Sequence, residues 1–162
     1  MFRKILSVSV LVMIMSLGAC KTAQKSEGPT DISNGAGADD NILGDSDSGK
    51  AMGLKTIHFP YDSSNLDSGA KADLKSNADI LKDKKSAKVQ IEGHCDQRGG
   101  IQYNIALGEK RANSVKNYLQ DMGVAADRIT TISYGKERPV DTGITDDAQA
   151  KNRRANFVIT AK

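Results

Sequence analysis

The order of apolar patterns along the chain predicts an α/β fold of the α+β sandwich kind, β-α-β-α-β-(α)-β, with helices packed on one face of a mixed four-stranded sheet. Three observations carry this expectation. Alternating or β-branched runs at Lys55–Phe59, Lys88–Glu92, Ile129–Tyr134 and Ala155–Thr160 have the length and period of strands. Between the first three lie two long segments with apolar residues every three or four positions, and crossovers of that length imply at least one parallel strand pairing. Each of those helices has a single apolar stripe, which suits packing against one face of a sheet.

The chain opens on a segment that stands apart from this pattern. Arg3 and Lys4 form a positive start, Ile5 to Leu17 is an apolar stretch, and Leu17-Gly18-Ala19 supplies the small residues of a cleavage site. Together they read as a secretory signal over residues 1–19 rather than a membrane span, because the apolar run is shorter than the ~20 residues a helix needs to cross a bilayer. Cys20, directly after it, resembles the cysteine of the bacterial lipobox, although Gly18 is a less usual occupant of its position. That resemblance implies a diacylated thiol, cleavage just before it and acylation of the new amine. One acyl chain, at ~0.8 kcal/mol per buried methylene, holds a protein reversibly, and several hold it durably. A plain secreted protein with an incidental Cys20 and an uncleaved anchor are the alternatives. Lys21 stands where an inner-membrane retention signal usually has Asp, so the expected location is the outer membrane, with the folded part in the periplasm.

From Cys20 to residue 53 the sequence is rich in Gly, Ser, Asp, Ala and Asn and has no period. Too little apolar surface is available there to offset chain entropy, so a disordered linker is expected. About 30 such residues span ~30 Å as a flexible coil and at most ~100 Å when straight. The folded domain is expected over residues 54–162. Its first strand, Lys55 to Phe59, meets Pro60, which ends ladder pairing or marks a sheet edge. Leu66, Ala70, Leu74, Ala78 and Leu81 mark a helix with a lysine-rich outer face. In the second strand Val89 and Ile91 share one face. The second helix runs from about Ile101 to Met122 on Leu107, Ala112, Val115, Leu119 and Met122, and Gly123 followed by apolar Val124 is a Schellman-type stop. After the third strand come a loop containing Pro139 and Gly143, a short helix over Asp146 to Asn152, and the closing strand.

The chain has 23 basic and 20 acidic residues, a net charge of +3, and loss of Arg3 and Lys4 with the leader lowers it by two. No basic block or aromatic stacking set points to nucleic acid. With Cys20 lipidated, Cys95 has no partner in the chain, so no disulfide is expected within the monomer.

The chemistry concentrates in Ile91-Glu92-Gly93-His94-Cys95-Asp96-Gln97-Arg98-Gly99-Gly100 and the helix that follows. Asp96 sits just past a strand, where a rigid scaffold presents side chains to a ligand. Gly99-Gly100 permits a sharp turn and exposes amides at a helix start, where an anion is favoured. An aspartate in this place also serves as a helix cap or as a partner of Arg98. Arg111 lies four residues after Leu107 and four before Val115, flanking the core stripe. It needs a partner there, and its planar fork suits a carboxylate. Asp96 and Arg111 either clamp a ligand bearing both an ammonium and a carboxylate or pair with each other. Spacing alone leaves both readings open.

The string Glu-Gly-His-x-Asp-x-Arg-Gly at 92–99, Tyr-Asn-x-x-Leu-Gly-x-x-Arg-Ala at 103–112, Ser133-Tyr134-Gly135-Lys136-Glu137-Arg138-Pro139 and Asn152-Arg153-Arg154 together resemble the OmpA C-terminal-like family. The resemblance covers about Leu54 to Lys162. It implies non-covalent binding of the peptidoglycan stem peptide at meso-diaminopimelate, with Asp96 receiving the ammonium and Arg111 a carboxylate. By the same motifs Leu107 lines the pocket, Asn104 orders the loop, and Tyr61 and Asp62 form the other wall. His94 is implied to be structural, and Arg153 and Arg154 lie near the site or in surface salt bridges. The resemblance further implies a tether between outer membrane and cell wall with no turnover and no cofactor. It also implies partnership with the Tol system, particularly its periplasmic propeller protein, on an overlapping surface. Three positions depart from the family pattern: Pro60 where Asp is common, Cys95 where Thr or Ala is common, and Gln97 where an acid often sits.

Other function classes fit less well. A hydrolase built on His94 and Cys95 is disfavoured because neighbours on an extended strand point to opposite faces. A zinc site from His58, His94 and Cys95 lacks paired ligand spacing. A flagellar stator or porin-associated anchor calls for a transmembrane helix or β-barrel ahead of this domain, and neither is read here.

Overall fold

The computed structural model describes residues 43–162; the leader, Cys20 and the linker up to residue 42 lie outside the described residues. In chain order the elements are β1 (Ile57–His58), α1 (Ser68–Asp83), β2 (Lys88–His94), α2 (Ile101–Asp121), a 3-10 turn (Ala126–Arg128), β3 (Ile129–Gly135), α3 (Asp146–Asn152) and β4 (Arg154–Ala161). The strands form one sheet in the order β1-β4-β2-β3. β2 and β3 are parallel and joined through α2, while β4 runs antiparallel to both β1 and β2. The expected mixed four-stranded α+β arrangement is the one the chain forms.

Local chemistry sets the element ends. α1 opens at Asp67, whose carboxylate accepts the Ala70 N–H at 2.8 Å, a cap worth ~1 kcal/mol. α2 closes as its sequence suggests: Val124 N–H donates to Leu119 O at 3.0 Å and Gly123 N–H to Gln120 O at 2.9 Å, the two bonds of a Schellman motif. Thr145 caps α3 by accepting the Ala148 N–H. Alternation then sorts the sheet's two faces. Val89, Ile91, Ile129, Phe157 and Ile159 join Leu74, Ala78 and Leu81 of α1 and Ala112, Val115 and Leu119 of α2 in one buried cluster. Each fully buried Val, Leu, Ile or Phe side chain among them contributes about 1.5–3 kcal/mol.

Gly93 and Gly108 let α2 lie directly on the sheet. A Cβ on Gly93 would stand 1.9 Å from Gly108 O, and one on Gly108 would stand 2.3 Å from Ser133 Oγ. This backbone-to-backbone approach determines where the first turns of α2 meet the end of β2, and so positions the residues discussed below.

The folded body begins ahead of the expected boundary at Leu54. Leu43 N–H donates to Ile159 O at 2.9 Å, Ile159 N–H to Gly44 O at 2.8 Å and Ser46 N–H to Phe157 O at 2.9 Å, extending the edge of β4 beyond β1. Asp47 is paired with Arg154 at 2.7 Å, Asn156 Oδ1 accepts from Ser46 Oγ at 2.8 Å, and Ala51 is fully buried. The segment docks through backbone and short polar side chains, so it carries none of the apolar period by which a folded element is recognised. β1 is correspondingly shorter than Lys55–Phe59. Asn77 of α1 takes both backbone groups of Lys55, accepting its N–H and donating to its carbonyl, each at 2.8 Å. Among the described residues no helix is long and apolar enough to cross a membrane.

Candidate functional site

β2 pairs with β3 through a register irregularity at Gly93/His94, and the chain then runs from Cys95 to Gly100 into α2. Beside this loop is a cavity of 240 Å³. Tyr61, Asp62, Asp96, Asn104, Leu107 and Arg111, the six residues singled out from the sequence, all line it. Cys95, Arg98, Gly99, Tyr103 and Arg153 complete the wall.

The loop is braced from several sides. Asn104 Nδ2 donates to Arg98 O at 2.8 Å and to Gly100 O at 3.1 Å, binding the loop to a helix start that has no side-chain cap of its own. Gln149 of α3 accepts the Gln97 N–H at 3.0 Å, and Lys136 Nζ donates to Gly99 O at 2.8 Å. Gly99 has φ +84°, a left-handed conformation that glycine adopts without a steric cost.

Arg111 lies at the back of the cavity and is 0% exposed. Its Nε donates to Ser63 O at 2.8 Å, Nη1 to His94 O at 2.8 Å and Nη2 to Pro60 O at 3.1 Å. Nη1 also donates to Cys95 Sγ at 3.5 Å, so of the about five N–H groups of a guanidinium roughly one is left, on Nη2. Burial holds the pKa of Arg111 below its ordinary value, and a guanidinium still remains a cation at neutral pH.

Among the described residues no hydrogen bond or ion pair joins Asp96 to Arg111, so the internal pair left open by their spacing is not made. Asp96 Oδ2 instead lies 2.7 Å from Arg98 Nη2 and 3.3 Å from Arg153 Nη1. Its Oδ1 accepts the Arg98 backbone N–H at 3.1 Å. Burial pushes the Asp96 carboxyl up, but the bonds from the Arg98 side chain and backbone and from Arg153 outweigh it and leave the pKa below the usual carboxylate value. Arg153 is anchored by donating Nε to Phe59 O at 3.1 Å. Its neighbour Arg154 points to the other face of the sheet, onto Asp47. Consecutive positions thus divide between the pocket and the packing of the 43–47 segment.

At the rim, the Arg98 guanidinium stands over the exposed Tyr61 ring at 4.1 Å from its centroid, within reach of a cation–π attraction. Asp62, left-handed at φ +50°, accepts the Tyr103 hydroxyl. That bond raises the Tyr103 pKa. His94 and Cys95 meet different surroundings. The imidazole stacks on Tyr134 with centroids 5.7 Å apart, its Nε2 lies 3.5 Å from the Glu92 carboxylate without either ring nitrogen making a hydrogen bond among the described residues, and burial outweighs the nearby Glu92 and lowers its pKa. The thiol donates to Asn104 O at 3.3 Å, and burial raises its pKa.

The sequence does not mark Arg98 or Tyr103 as pocket residues: it offers Arg98 only as a partner of Asp96, and it leaves Arg153 between the site and a surface salt bridge. Tyr103 sits on an exposed helix face, where only its aromatic character could have marked it. Together the groups offer two carboxylates, Asp96 within the cavity and Asp62 at its rim, three guanidinium cations and apolar walls at Leu107 and Tyr61, a set that can hold a ligand of both charges by charge-assisted hydrogen bonds. Among the described residues no group of three His, Cys, Asp or Glu side chains is arranged to hold a metal ion.

The sequence model of the OmpA family matches residues 58–153, a span that contains every residue lining the cavity. The peptidoglycan-associated lipoprotein of Pseudomonas aeruginosa is 39% identical over 154 residues, covering 94% of this chain and 91% of that protein. The crystal structure of the peptidoglycan-associated lipoprotein from Burkholderia pseudomallei matches with a TM-score of 0.62 at 36% identity, over 64% of this chain and 88% of that one. The cell wall anchor of the T6SS from Pseudomonas aeruginosa matches with a TM-score of 0.57 at 28% identity, over 66% of this chain and 80% of that one. With the family pattern extending from β1 through α3 and a relative alike over nearly the whole sequence, the chain belongs to the OmpA family.

Proposed function

We propose that this protein binds peptidoglycan non-covalently through the meso-diaminopimelate of the stem peptide and so tethers the outer membrane to the cell wall, with no turnover. The observation that carries this reading is the convergence of Asp96 and Arg111 on one small cavity at the end of β2. Asp96 receives the ligand ammonium, the remaining N–H of Arg111 Nη2 donates to its carboxylate, and Leu107 and Tyr61 flank the aliphatic spacer. A lysine-type stem peptide lacks the second carboxylate and leaves Arg111 unmatched. The names of the relatives, two for association with peptidoglycan and one as a cell wall anchor, support the same ligand class.

The tether belongs to the same proposal. Cys20 carries the lipid, and residues 21–42 lead from it to the folded body, a contour of at most about 75 Å. Leu43 joins the sheet at Ile159, which pairs with Val89 near the start of β2, whereas Asp96 follows the end of that strand. Chain arrival and cavity therefore occupy opposite ends of the sheet, as a body hung from one layer and gripping another requires. A periplasmic propeller protein of the Tol system is the proposed protein partner, competing for the cavity rim in the service of envelope integrity and cell division.

The test is co-sedimentation of the full-length protein with diaminopimelate-type and lysine-type sacculi, with Asp96→Asn beside it. Binding to the first wall alone, lost in the folded variant, is the expected result. Equal binding to both walls, or retention by Asp96→Asn, refutes the zwitterion clamp.

A further inference from the structure

Asp96 is only 4% exposed, although the functional reading requires it to meet a ligand cation. Its cover is internal. Oδ1 holds the Arg98 backbone N–H at 3.1 Å, and Oδ2 is shared by Arg98 Nη2 at 2.7 Å, Arg98 Nε at 3.3 Å and Arg153 Nη1 at 3.3 Å. Four hydrogen bonds match the about four acceptor sites of a carboxylate, so an ammonium takes a full seat on Asp96 only when one of these groups leaves. The backbone N–H is fixed in the loop, because Arg98 O and Gly100 O both accept from Asn104. Arg153 is fixed as well, with its side chain 14% exposed and its Nε on Phe59 O. The Arg98 side chain differs: it is 42% exposed, and beyond Asp96 its guanidinium touches only the exposed Tyr61 ring at 4.1 Å from the centroid and fully exposed Asp146 at 3.9 Å. It is the one movable member of the cover.

We propose that Arg98 is an internal occupant of the cation seat on Asp96, and that a ligand ammonium binds by displacing its guanidinium while Arg153 stays in place. The inference rests on the reading of Asp96 as the ammonium receiver. Arg98 then sets a threshold for binding. A ligand with no cation cannot replace the charge it removes, so neutral and purely anionic wall fragments are rejected. The displaced guanidinium swings toward Tyr61 and Asp146, which lie on its outer side, and Arg153 continues to orient the carboxylate.

Titration calorimetry of the full-length protein in mild detergent tests this, using a soluble muropeptide that carries meso-diaminopimelate against wild type, Arg98→Gln and Asp96→Asn. Arg98→Gln keeps the backbone N–H and carbonyl that order the loop, so its fold is retained. Removing a partly exposed competing ion pair should tighten binding about two- to fivefold, while Asp96→Asn abolishes it. Tighter binding by Arg98→Gln together with loss in Asp96→Asn supports the proposal. Unchanged or weaker binding by Arg98→Gln, with loss in Asp96→Asn, overturns the displacement and leaves the clamp standing. Retained binding by Asp96→Asn overturns the clamp itself and the displacement with it. As a second readout, the Arg98 side-chain Nε–H resonance should shift on saturation with the muropeptide while that of Arg153 keeps its position; the reverse pattern refutes the assignment of the movable partner.

Discussion

Arg111→Ala should be severely destabilising, apart from any effect on a ligand. The side chain is fully buried, and besides its contact with Cys95 Sγ its hydrogen bonds end on the carbonyls of Ser63, His94 and Pro60, which belong to two separate stretches of chain. Truncation leaves three acceptors without a donor. An unsatisfied buried polar group costs about 1–3 kcal/mol; the His94 bond is buried and those to Ser63 and Pro60 are partly so, which together puts the loss at roughly 3 kcal/mol, against a total stability of about 5–15 kcal/mol for a domain. With a urea dependence of about 2 kcal/mol per molar, the unfolding midpoint should fall by about 1.5 M or more. Equilibrium urea unfolding followed by circular dichroism measures this directly. A loss below about 1 kcal/mol would mean that water entering from the cavity satisfies all three carbonyls, and the description of Arg111 as a brace would fail. Arg111→Lys should recover part of the loss, since an ammonium keeps the charge and has donors but cannot span three diverging carbonyls. Lost wall binding in Arg111→Ala therefore does not by itself identify a ligand contact, which is why Asp96→Asn is the more direct probe of the clamp.

Three further outcomes follow from other parts of the molecule. Gly93→Ala places a methyl group 1.9 Å from Gly108 O; helix α2 has to move off the sheet, and a loss of about 2–3 kcal/mol should appear in thermal melts along with weaker sacculus binding, whereas an unchanged melting temperature would show that the helix shifts freely. Burial holds His94 neutral with its folded pKa below the unfolded value, so as pH falls below about 6.5 the unfolded chain takes up the proton first and stability drops; urea midpoints should be lower at pH 5.5 than at pH 7.5 in wild type, with a smaller drop in His94→Gln, and equal drops would remove His94 as the cause. Cys95 is 3% exposed and burial raises its pKa, so alkylation by iodoacetamide at pH 8 should be slow in the folded protein and fast in urea; equal rates would contradict its packed position.

The fold was readable because its main signals are local. α1 and α2 each carry a stripe of apolar residues that no strand period can imitate, and Gly123-Val124 terminates α2 by a rule needing only the neighbouring residues. The crossover lengths imply at least one parallel pairing, and the structure makes it between β2 and β3, while the similarly long crossover from β1 to β2 leaves those two strands apart with β4 between them. The 43–53 segment was not readable, because what holds it is Asn156, Arg154 and the edge of β4, more than a hundred residues away in sequence. Its Gly, Ser and Asp content is that of a linker, and only the free edge left by a two-residue β1 turns it into part of the sheet.

The site divides in the same way, along the line between position and partnership. Which residues share the end of the sheet is fixed by backbone: β2 leads into the loop, and the Gly93–Gly108 contact lays Asn104, Leu107 and Arg111 beside it. Spacing in the sequence encodes that much. Which charge meets which is decided among groups a few ångströms apart, where small changes of rotamer exchange one partner for another. Arg111 flanks the core stripe in the sequence, and a carboxylate was the natural expectation for it. Three backbone carbonyls at the ends of β1 and β2 reach it first, and they exist there only because Pro60 and the Tyr61-Asp62 turn break the strand beside it. Asp96, relieved of that partner, takes Arg98 from its own loop and Arg153 from 57 residues away. A cavity in which the cation at the back is immobilised and the cation at the mouth is not can hold its shape while empty and still exchange one ion pair for another when a zwitterion arrives.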